Sequence, residues 1–495
     1  MDLRLNMTRV DSLTSWHSEW KDLRVVVFGL GVSGFSVADT LAELGCNVLV
    51  VAEKAEPEYI DLLSVIGVES LLGDSARNFS EALEKFDPEL VVTSPGFRPD
   101  SAPITWVESK GLPLWTDIDL AWRLRDKTGR TADWICVTGT NGKTTTVQLT
   151  THMLNEAGLR AVACGNIGTP ILDCVRDETG FDVLVVELSS FQLHYLGEVH
   201  PFASAVLNID LDHIDWHGSF DAYKQAKAKI FENVESACVY NVTDSVTMKM
   251  VEEADVQEGA RAIGFTLGFP GSSNLGYTDG LLVDNAYSGN RKEKELEFLA
   301  TIEQIESIGV VTKHLLQNIA AASALVRAYG VPAKAIGRAV SSFKLDAHRI
   351  ELVLELDGVS WIDDSKATNP HAAAASLASF ESVVWIVGGL LKGVDIGPLV
   401  SDFKNSLKAA VVIGVDRVPV LDALAKNAPK VPVIEIGDGD EVMMRAVTAA
   451  KSLASSGDTV LLAPASASMD QFKDYADRGS QFASEVLRVN GVSNG

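Results

Sequence analysis

The sequence predicts an α/β protein of three domains. Three observations carry that reading. The chain has 495 residues, more than one hydrophobic core accommodates, so several domains are expected. Two apolar runs, Leu23–Phe28 and Trp134–Val137, each lead into a glycine turn and then a helical pattern. Beyond residue 345, apolar runs at Val359–Asp363, Val383–Val387, Ala410–Ile413 and Val460–Ala463 alternate with helical patterns. That alternation is the sign of a doubly wound, mainly parallel sheet. The expected domains are residues 1–113, 114–345 and 346–495.

In the first domain, Gly29-x-Gly31-x-x-Gly34 sits between the strand and a helix running to about Leu44. A turn at Gly45 leads to a second strand, Val48–Ala52, and Glu53 ends it. This is the dinucleotide-fold fingerprint, with an acid at the ribose distance, so a Rossmann-like domain is predicted. The turn receives any diphosphate and does not specify NAD. Strand Leu90–Thr93 and the turn Ser94-Pro95-Gly96 continue the domain. The polar first 20 residues, with two tryptophans, read as an arm on it.

The second domain opens on Thr138-Gly139-Thr140-Asn141-Gly142-Lys143-Thr144, followed by a helix from Thr145 to about Ala157. Such a loop turns backbone N–H groups inward and places an anion on a helix N-terminus. Lys143 adds a point charge for the terminal phosphates, and the Thr144 hydroxyl reaches a Mg²⁺. Val137 stands where the common P-loop has its first glycine, so this is a shorter variant. A nucleoside triphosphate is the predicted ligand. Glu187 closes the apolar run Val183–Glu187, where a Mg²⁺ ligand belongs. His213 follows the run Ala205–Ile209 beside Asp210 and Asp212 and is a candidate metal ligand. Lys227 lies in a lysine-rich helical run, Tyr223–Ile230, that reads as a solvated face; nothing local marks it. Gly264 to Gly280 reads as a loop or hairpin insertion, and Leu315–Tyr329 as an alanine-rich helix stopped by Gly330.

Composition narrows the partners. A net charge of −25 repels nucleic acid and anionic membranes, so neither is expected as a partner. The same charge obliges any phosphate site to be locally positive. The five cysteines form no C-x-x-C pair and read as buried thiols of a reducing compartment. No basic start followed by an apolar core is seen, and no apolar run nears the roughly 18 residues of a membrane helix. A cytoplasmic protein is expected.

In the third domain, Asp363–Pro370, Gly388–Lys392 and Pro464–Ser468 each follow a strand. Strand ends of open α/β sheets are where ligands bind. Taken together, Thr138–Thr144, Gly165-Asn-Ile-Gly168, Glu187-Leu-Ser-Ser190, Asp212-His213 and His348-Arg349 resemble the Mur ligase family of peptidoglycan synthesis. The resemblance runs from about residue 22 to 485. Asp364-Ser-Lys-Ala-Thr-Asn369 and Ser466–Phe472 are similar to the D-glutamate-adding branch.

The resemblance implies a Rossmann-like first domain, a P-loop-type ATPase domain and a doubly wound C-terminal domain. It implies ATP-dependent ligation of D-glutamate to UDP-N-acetylmuramoyl-L-alanine by a monomer, with two Mg²⁺ ions. Gly31, Val32, Ser33, Glu53, Gly96, Asn166 and His213 would meet the UDP-substrate. Gly139, Thr140, Asn141, Gly142, Lys143, Thr144, Thr145, Asn318, Arg349, Asp364 and Lys366 would meet ATP. Thr144, Glu187, His213 and Lys227 would hold metal, and Lys143, His213 and Lys227 would act in catalysis. Lys227 matches a lysine that the family carbamylates with CO₂. A free ammonium beside Mg²⁺ repels it, whereas a carbamate is an anionic oxygen ligand. Thr368, Lys392, Ser468, Met469 and Tyr475 would form the D-glutamate pocket, Tyr475 standing at a phenylalanine position of the family. Leu315 departs from a family asparagine in the run His314–Asn318. Three alternatives stand beside this reading: another Mur-type amino-acid ligase, an NAD(P)-dependent oxidoreductase and a nucleotide-binding regulatory ATPase.

Overall fold

The computed structural model describes residues 8–287, 296–391 and 393–492. It forms two compact units, Met1–Leu299 with Asn318–Ala339, and Ala300–Gln317 with Val340–Gly495. Three mainly parallel sheets make up the three domains.

The first sheet comprises β1 (Arg24–Leu30), β2 (Asn47–Ala55), β3 (Glu69–Leu72), β4 (Leu90–Thr93) and β5 (Leu114–Trp115), in the order β3-β2-β1-β4-β5. All its pairings are parallel. The valines of β1 are buried on both faces, as expected where helices cover both sides of a sheet. Strand order reverses at β1, so a crevice opens between the C-terminal ends of β1 and β4. Gly34 allows the close approach this needs: a Cβ there would run into the Gly29 carbonyl. β2 continues to Ala55, so Glu53 lies inside the strand and not at its end. The arm is folded into the domain: Leu13 and Trp20 are buried, and Trp20 meets Trp115 edge-on at 6.4 Å.

The second sheet comprises β6 (Asp133–Thr138), β7 (Ala161–Gly165), β8 (Val183–Glu187), β9 (Ala203–Val206), β10 (Ala237–Asn241), β11 (Arg261–Phe265), β12 (Asn274–Thr278), β13 (Leu281–Asp284) and β14 (Glu297–Thr301). Their order is β14-β13-β12-β11-β10-β9-β6-β8-β7. β6 lies between β8 and β9, so the C-terminal ends of all three meet. The segment Gly264–Gly280, expected as a loop or hairpin insertion, contributes β12, parallel to β11 and joined to β13 as an antiparallel hairpin. Asp279 and Gly280 turn between them with positive φ, the pairing a tight hairpin favours.

The third sheet comprises β15 (Glu351–Leu356), β16 (Val359–Asp363), β17 (Val383–Gly388), β18 (Leu407–Ile413), β19 (Val433–Glu435) and β20 (Thr459–Leu462), in the order β15-β16-β20-β17-β18-β19. Only β15 is antiparallel to its neighbour. Four of the five cysteines are buried, Cys46 partly, and none is in a disulfide. Among the described residues no helix is long and apolar enough to cross a membrane.

One side chain fixes the segment that leads from β9 to His213. Asp244 caps the helix Ser245–Glu252 by accepting from the Val246 and Thr247 N–H groups at 2.8 and 3.3 Å. Its other oxygen accepts from the Ile209 N–H at 2.9 Å. Asp244→Ala should therefore lower stability by about 1–2 kcal/mol, the usual cost of a lost cap, while Asp244→Asn should retain most of it. The denaturant midpoint of the full chain measures both.

Candidate active site

The glycine loop between β6 and the helix Lys143–Glu156 is held from below and from the side. Gly142 caps the helix with φ +83°, and a Cβ there would collide with the Asn318 carboxamide. Only glycine meets both demands. Asn208, just past β9, grips the loop twice. Its backbone carbonyl accepts from the Thr140 N–H at 2.9 Å, and its side-chain oxygen accepts from the Asn141 N–H at 2.8 Å. The Asn208 amide also donates to the Asn141 carbonyl at 3.0 Å. Two of the loop N–H groups expected to face an anion are thus spent on Asn208. The donors that remain for an anion are those of the helix's first turn, which an α-helix leaves unsatisfied. Lys143 bends back over the loop, its Nζ donating to the carbonyls of Gly139 and Thr140 at 2.9 and 3.0 Å.

Beneath the loop lies Lys227, only 2% exposed. Its Nζ donates to the Gly139 carbonyl at 2.9 Å and to Thr138 Oγ1 at 3.2 Å. The solvated-face reading of the lysine run therefore fails at this one position. Lys224 does face outward and pairs with Asp221 at 2.7 Å, and Lys229 reaches the His194 carbonyl. Tyr223, Ala226, Lys227 and Ile230 are the buried positions, a spacing of three, four and seven that marks the inner stripe of a helix. The run itself does not single out Lys227, because Lys224 and Lys229 share it. Burial holds the pKa of Lys227 well below 10.5, and the charge of Lys143 adds to this; Asp212 and Glu187 pull the other way.

The end of β8 supplies the counterpart. Glu187 is 2% exposed. Its Oε1 accepts from the Asn166 amide at 2.9 Å, and the Asn166 N–H donates to the Glu187 carbonyl. Its Oε2 is buried without a hydrogen-bond partner among the described residues. A buried carboxylate oxygen left open beside a phosphate loop suits a hard divalent cation, which takes oxygen ligands. Glu187 Oε2 is thus a donor of the kind a Mg²⁺ takes.

His213 sits at φ +50°, its N–H donating to Asp212 at 2.9 Å. Burial lowers its pKa, and nearby Lys227 and Lys143 lower it further against Asp212. A neutral imidazole is the form that ligates metal. Its ring packs on Phe191 at 4.7 Å, and Phe191 packs in turn on Trp216 at 4.6 Å. His217 completes this cluster, its Nε2 3.0 Å from Ser190 Oγ. Tyr223 ties the cluster to the loop through a 2.9 Å hydrogen bond with Thr140 Oγ1. Asn208, Tyr223 and His217 escaped the sequence reading; only their position after or near a strand end hinted at them.

Of the first-sheet candidates, Gly31, Val32 and Ser33 follow β1 and Gly96 follows β4. Gly31, Val32 and Gly96 are exposed, with Ser33 half-buried. Glu53 is exposed too and lies 3.7 Å from Arg77.

The second unit places its candidates at the ends of β16 and β20. Asp364 is buried and accepts from Ser376 Oγ and from the Ile350 N–H. Burial pushes its pKa up to about 6. His348 Nδ1 meets Asp363 at 2.7 Å, which raises the imidazole pKa. Lys366 lies over the Tyr475 ring at 5.0 Å. Thr368 and Met469 are exposed, and Ser468 is buried. Lys392 lies outside the described residues. Arg478, which the sequence reading missed, is fully buried and binds the Ser365 hydroxyl, the Ser365 carbonyl and the Ser466 carbonyl. It joins the β16 and β20 loops.

His217 generates a pH prediction. Burial first, then the neighbouring His194 and His213, push its pKa from 6.5 down to about 4. Between those values the unfolded chain binds more protons than the folded one, so stability rises with pH. The contribution is present above about 6.5 and is lost as pH falls toward about 4. A series of thermal melts across that window should show the wild type losing stability more steeply than His217→Gln. Parallel curves would contradict the assignment.

Comparison with known proteins agrees with this architecture. Residues 23–115 match the Mur ligase MurD-like N-terminal domain, 137–326 the Mur ligase middle domain, and 348–466 the Mur ligase glutamate ligase domain. The chain is 56% identical over 492 residues to a UDP-N-acetylmuramoylalanine–D-glutamate ligase of Leifsonia xyli, covering 97% of this chain and 95% of that one. It is 47% identical over 478 residues to the enzyme of the same name from Streptomyces coelicolor, covering 95% and 99%. Among solved structures, the UDP-N-acetylmuramate-alanine ligase of Thermotoga maritima shares the fold, with a TM-score of 0.55 at 19% identity over 94% of this chain and 100% of that one. With three family domains in sequence and such identity along nearly its whole length, the chain belongs to the Mur ligase family.

Proposed function

We propose that the chain is a cytoplasmic ATP-dependent ligase that joins D-glutamate to UDP-N-acetylmuramoyl-L-alanine in peptidoglycan precursor synthesis. Its near full-length identity to ligases named for that reaction carries the reading. The cationic loop beside a half-satisfied buried carboxylate supports it.

A carboxylate does not form an amide with an amine at neutral pH, because its oxygen is a poor leaving group. Transfer of the ATP γ-phosphoryl to the L-alanyl carboxylate breaks the bond to ADP and makes an acyl phosphate. The neutral amine of D-glutamate attacks its carbonyl carbon, and phosphate leaves from the tetrahedral intermediate. Both steps gather negative charge. Lys143 and the first-turn N–H groups of the following helix are placed to offset it. Mg²⁺ held by Thr144 and Glu187, and a second ion near His213 and Lys227, would supply further charge neutralisation on the phosphate oxygens.

Within this reading Lys227 acts as its carbamate. Its burial favours the neutral amine, which attacks CO₂ and loses a proton to become an anionic ligand. Asn166 and His213 face the muramoyl end of the UDP-substrate, which Gly31, Val32, Ser33, Glu53 and Gly96 hold in the first domain. Gly139–Thr145 and Asn318 contact the nucleotide, as do Arg349, Asp364 and Lys366. Thr368, Lys392, Ser468, Met469 and Tyr475 receive D-glutamate. Residues 1–113, 114–345 and 346–495 serve as the three functional domains of a monomer.

Phosphate release with ATP, UDP-N-acetylmuramoyl-L-alanine and one amino acid at a time tests the reaction. Release should require D-glutamate. Equal release with L-alanine or meso-diaminopimelate would point to another family member, and release without any amino acid to a regulatory ATPase. Lys227→Ala should lose on the order of 10²-fold or more in turnover, as for other groups that stabilise transition-state charge, with partial return in formate or acetate. Lys224→Ala should stay near wild type. Equal activity of the two variants would remove Lys227 from the mechanism.

A further inference from the structure

The ligase reading sets a geometric requirement. The UDP-substrate is held by the first domain but reacts at the loop of the second, so the distance between the two must be fixed. Both domains lie in one compact unit, and the contact between them is tied on two sides of the crevice.

On one side, the helix Val32–Glu43 starts at the Gly31 turn and presents one face to the helix Ile171–Arg176 of the second domain. Ser36 Oγ donates to Asp173 at 2.7 Å. Arg176 bridges Asp39 at 2.5 Å and Glu43 at 2.8 Å. Lys127 reaches the same Glu43 at 2.6 Å. Ser36, Asp39 and Glu43 are three and four residues apart, so they line a single stripe. The Arg176 side chain is only 22% exposed, and its fork binds two carboxylates at once, which a single ammonium does less well.

On the other side, the loop after β4 carries Gly96. Tyr195 Oη donates to the Phe97 carbonyl at 2.9 Å, and Trp216 Nε1 makes a longer contact, 3.5 Å, with the Gly96 carbonyl. Trp216 packs on Phe191, and Phe191 on His213. The loop at the diphosphate crevice is thereby anchored to the segment that bears His213.

We infer that Tyr195 and Arg176 are positioning residues that hold the first domain's crevice at a set distance from the reaction site, and so determine the affinity for the UDP-substrate. Neither group is part of a domain core; each bond crosses from one domain to the other. A ligand that spans two domains binds more tightly when their spacing is already set, because less of the binding energy goes into ordering them.

Tyr195→Phe, Arg176→Ala, Arg176→Lys and the double variant Tyr195→Phe/Arg176→Ala test this. KM for UDP-N-acetylmuramoyl-L-alanine should rise about 3- to 10-fold in each of Tyr195→Phe and Arg176→Ala, the usual net worth of a hydrogen bond. It should rise further in the double variant and partly return in Arg176→Lys. KM for ATP, KM for D-glutamate and kcat should stay within about twofold of wild type. Calorimetric titration with the UDP-substrate alone reads the same effect without turnover. It therefore separates failure of this inference from failure of the ligase reading. An unchanged affinity for the UDP-substrate in the double variant would overturn the inference. So would an equal rise in all three KM values together with a lower melting temperature, which would mark a structural role only.

Discussion

A buried lysine beneath the glycine loop organises this protein. Burying a polar amine is costly unless it is hydrogen-bonded. Lys227 donates to the last side chain of β6 and the first carbonyl of the loop, and burial with the nearby Lys143 charge favours its neutral form against the pull of Asp212 and Glu187. Those partners exist only because β6 runs between β8 and β9. The strand order, the loop and the burial of one helix face are thus one arrangement.

The loop itself is tied down by hydrogen bonds and by close packing. Asn208 occupies two of its N–H groups and one of its carbonyls, and Asn318 closes the space at Gly142. A rigid loop presents its remaining donors without reorganisation, which is where electrostatic stabilisation of a transferring phosphoryl group is most effective. Lys143 brings a local positive charge to this loop in a chain of net charge −25. Glu187, with one oxygen open, and His213, held towards its neutral form, complete a site that suits anionic phosphates and a hard cation together.

The second unit solves a related problem with a buried arginine. Arg478 lies under the ends of β16 and β20 and binds backbone and hydroxyl groups of both loops. Burial draws its pKa down to about 10, so it remains charged at neutral pH. Asp363 orients His348 in the same region. These buried polar contacts help to fix the loops that carry Asp364, Lys366 and Ser468.

Much of this was legible in the sequence because it depends on local rules. The two glycine turns, Gly29–Gly34 and Gly139–Gly142, follow from backbone sterics. The valine-rich strands follow from burial on both faces, and Glu187 from its place at the end of β8, whereas His213 lies well beyond the end of β9. The three-residue strand β19 carried too little pattern, and β12 was hidden among glycines. What only the tertiary structure decided was pairing across distance. A lysine run looks solvated until the packing of one helix shows that Tyr223, Ala226, Lys227 and Ile230 face inward. Asn208 is one more polar residue until β9 places it beside the loop. Arg176 and Tyr195 have no local signature, because their partners Asp39, Glu43 and Phe97 lie in another domain. Sequence determines which local conformations are cheap; which polar groups are buried together depends on strand order and domain contact, and these place residues far apart in the chain within hydrogen-bond reach.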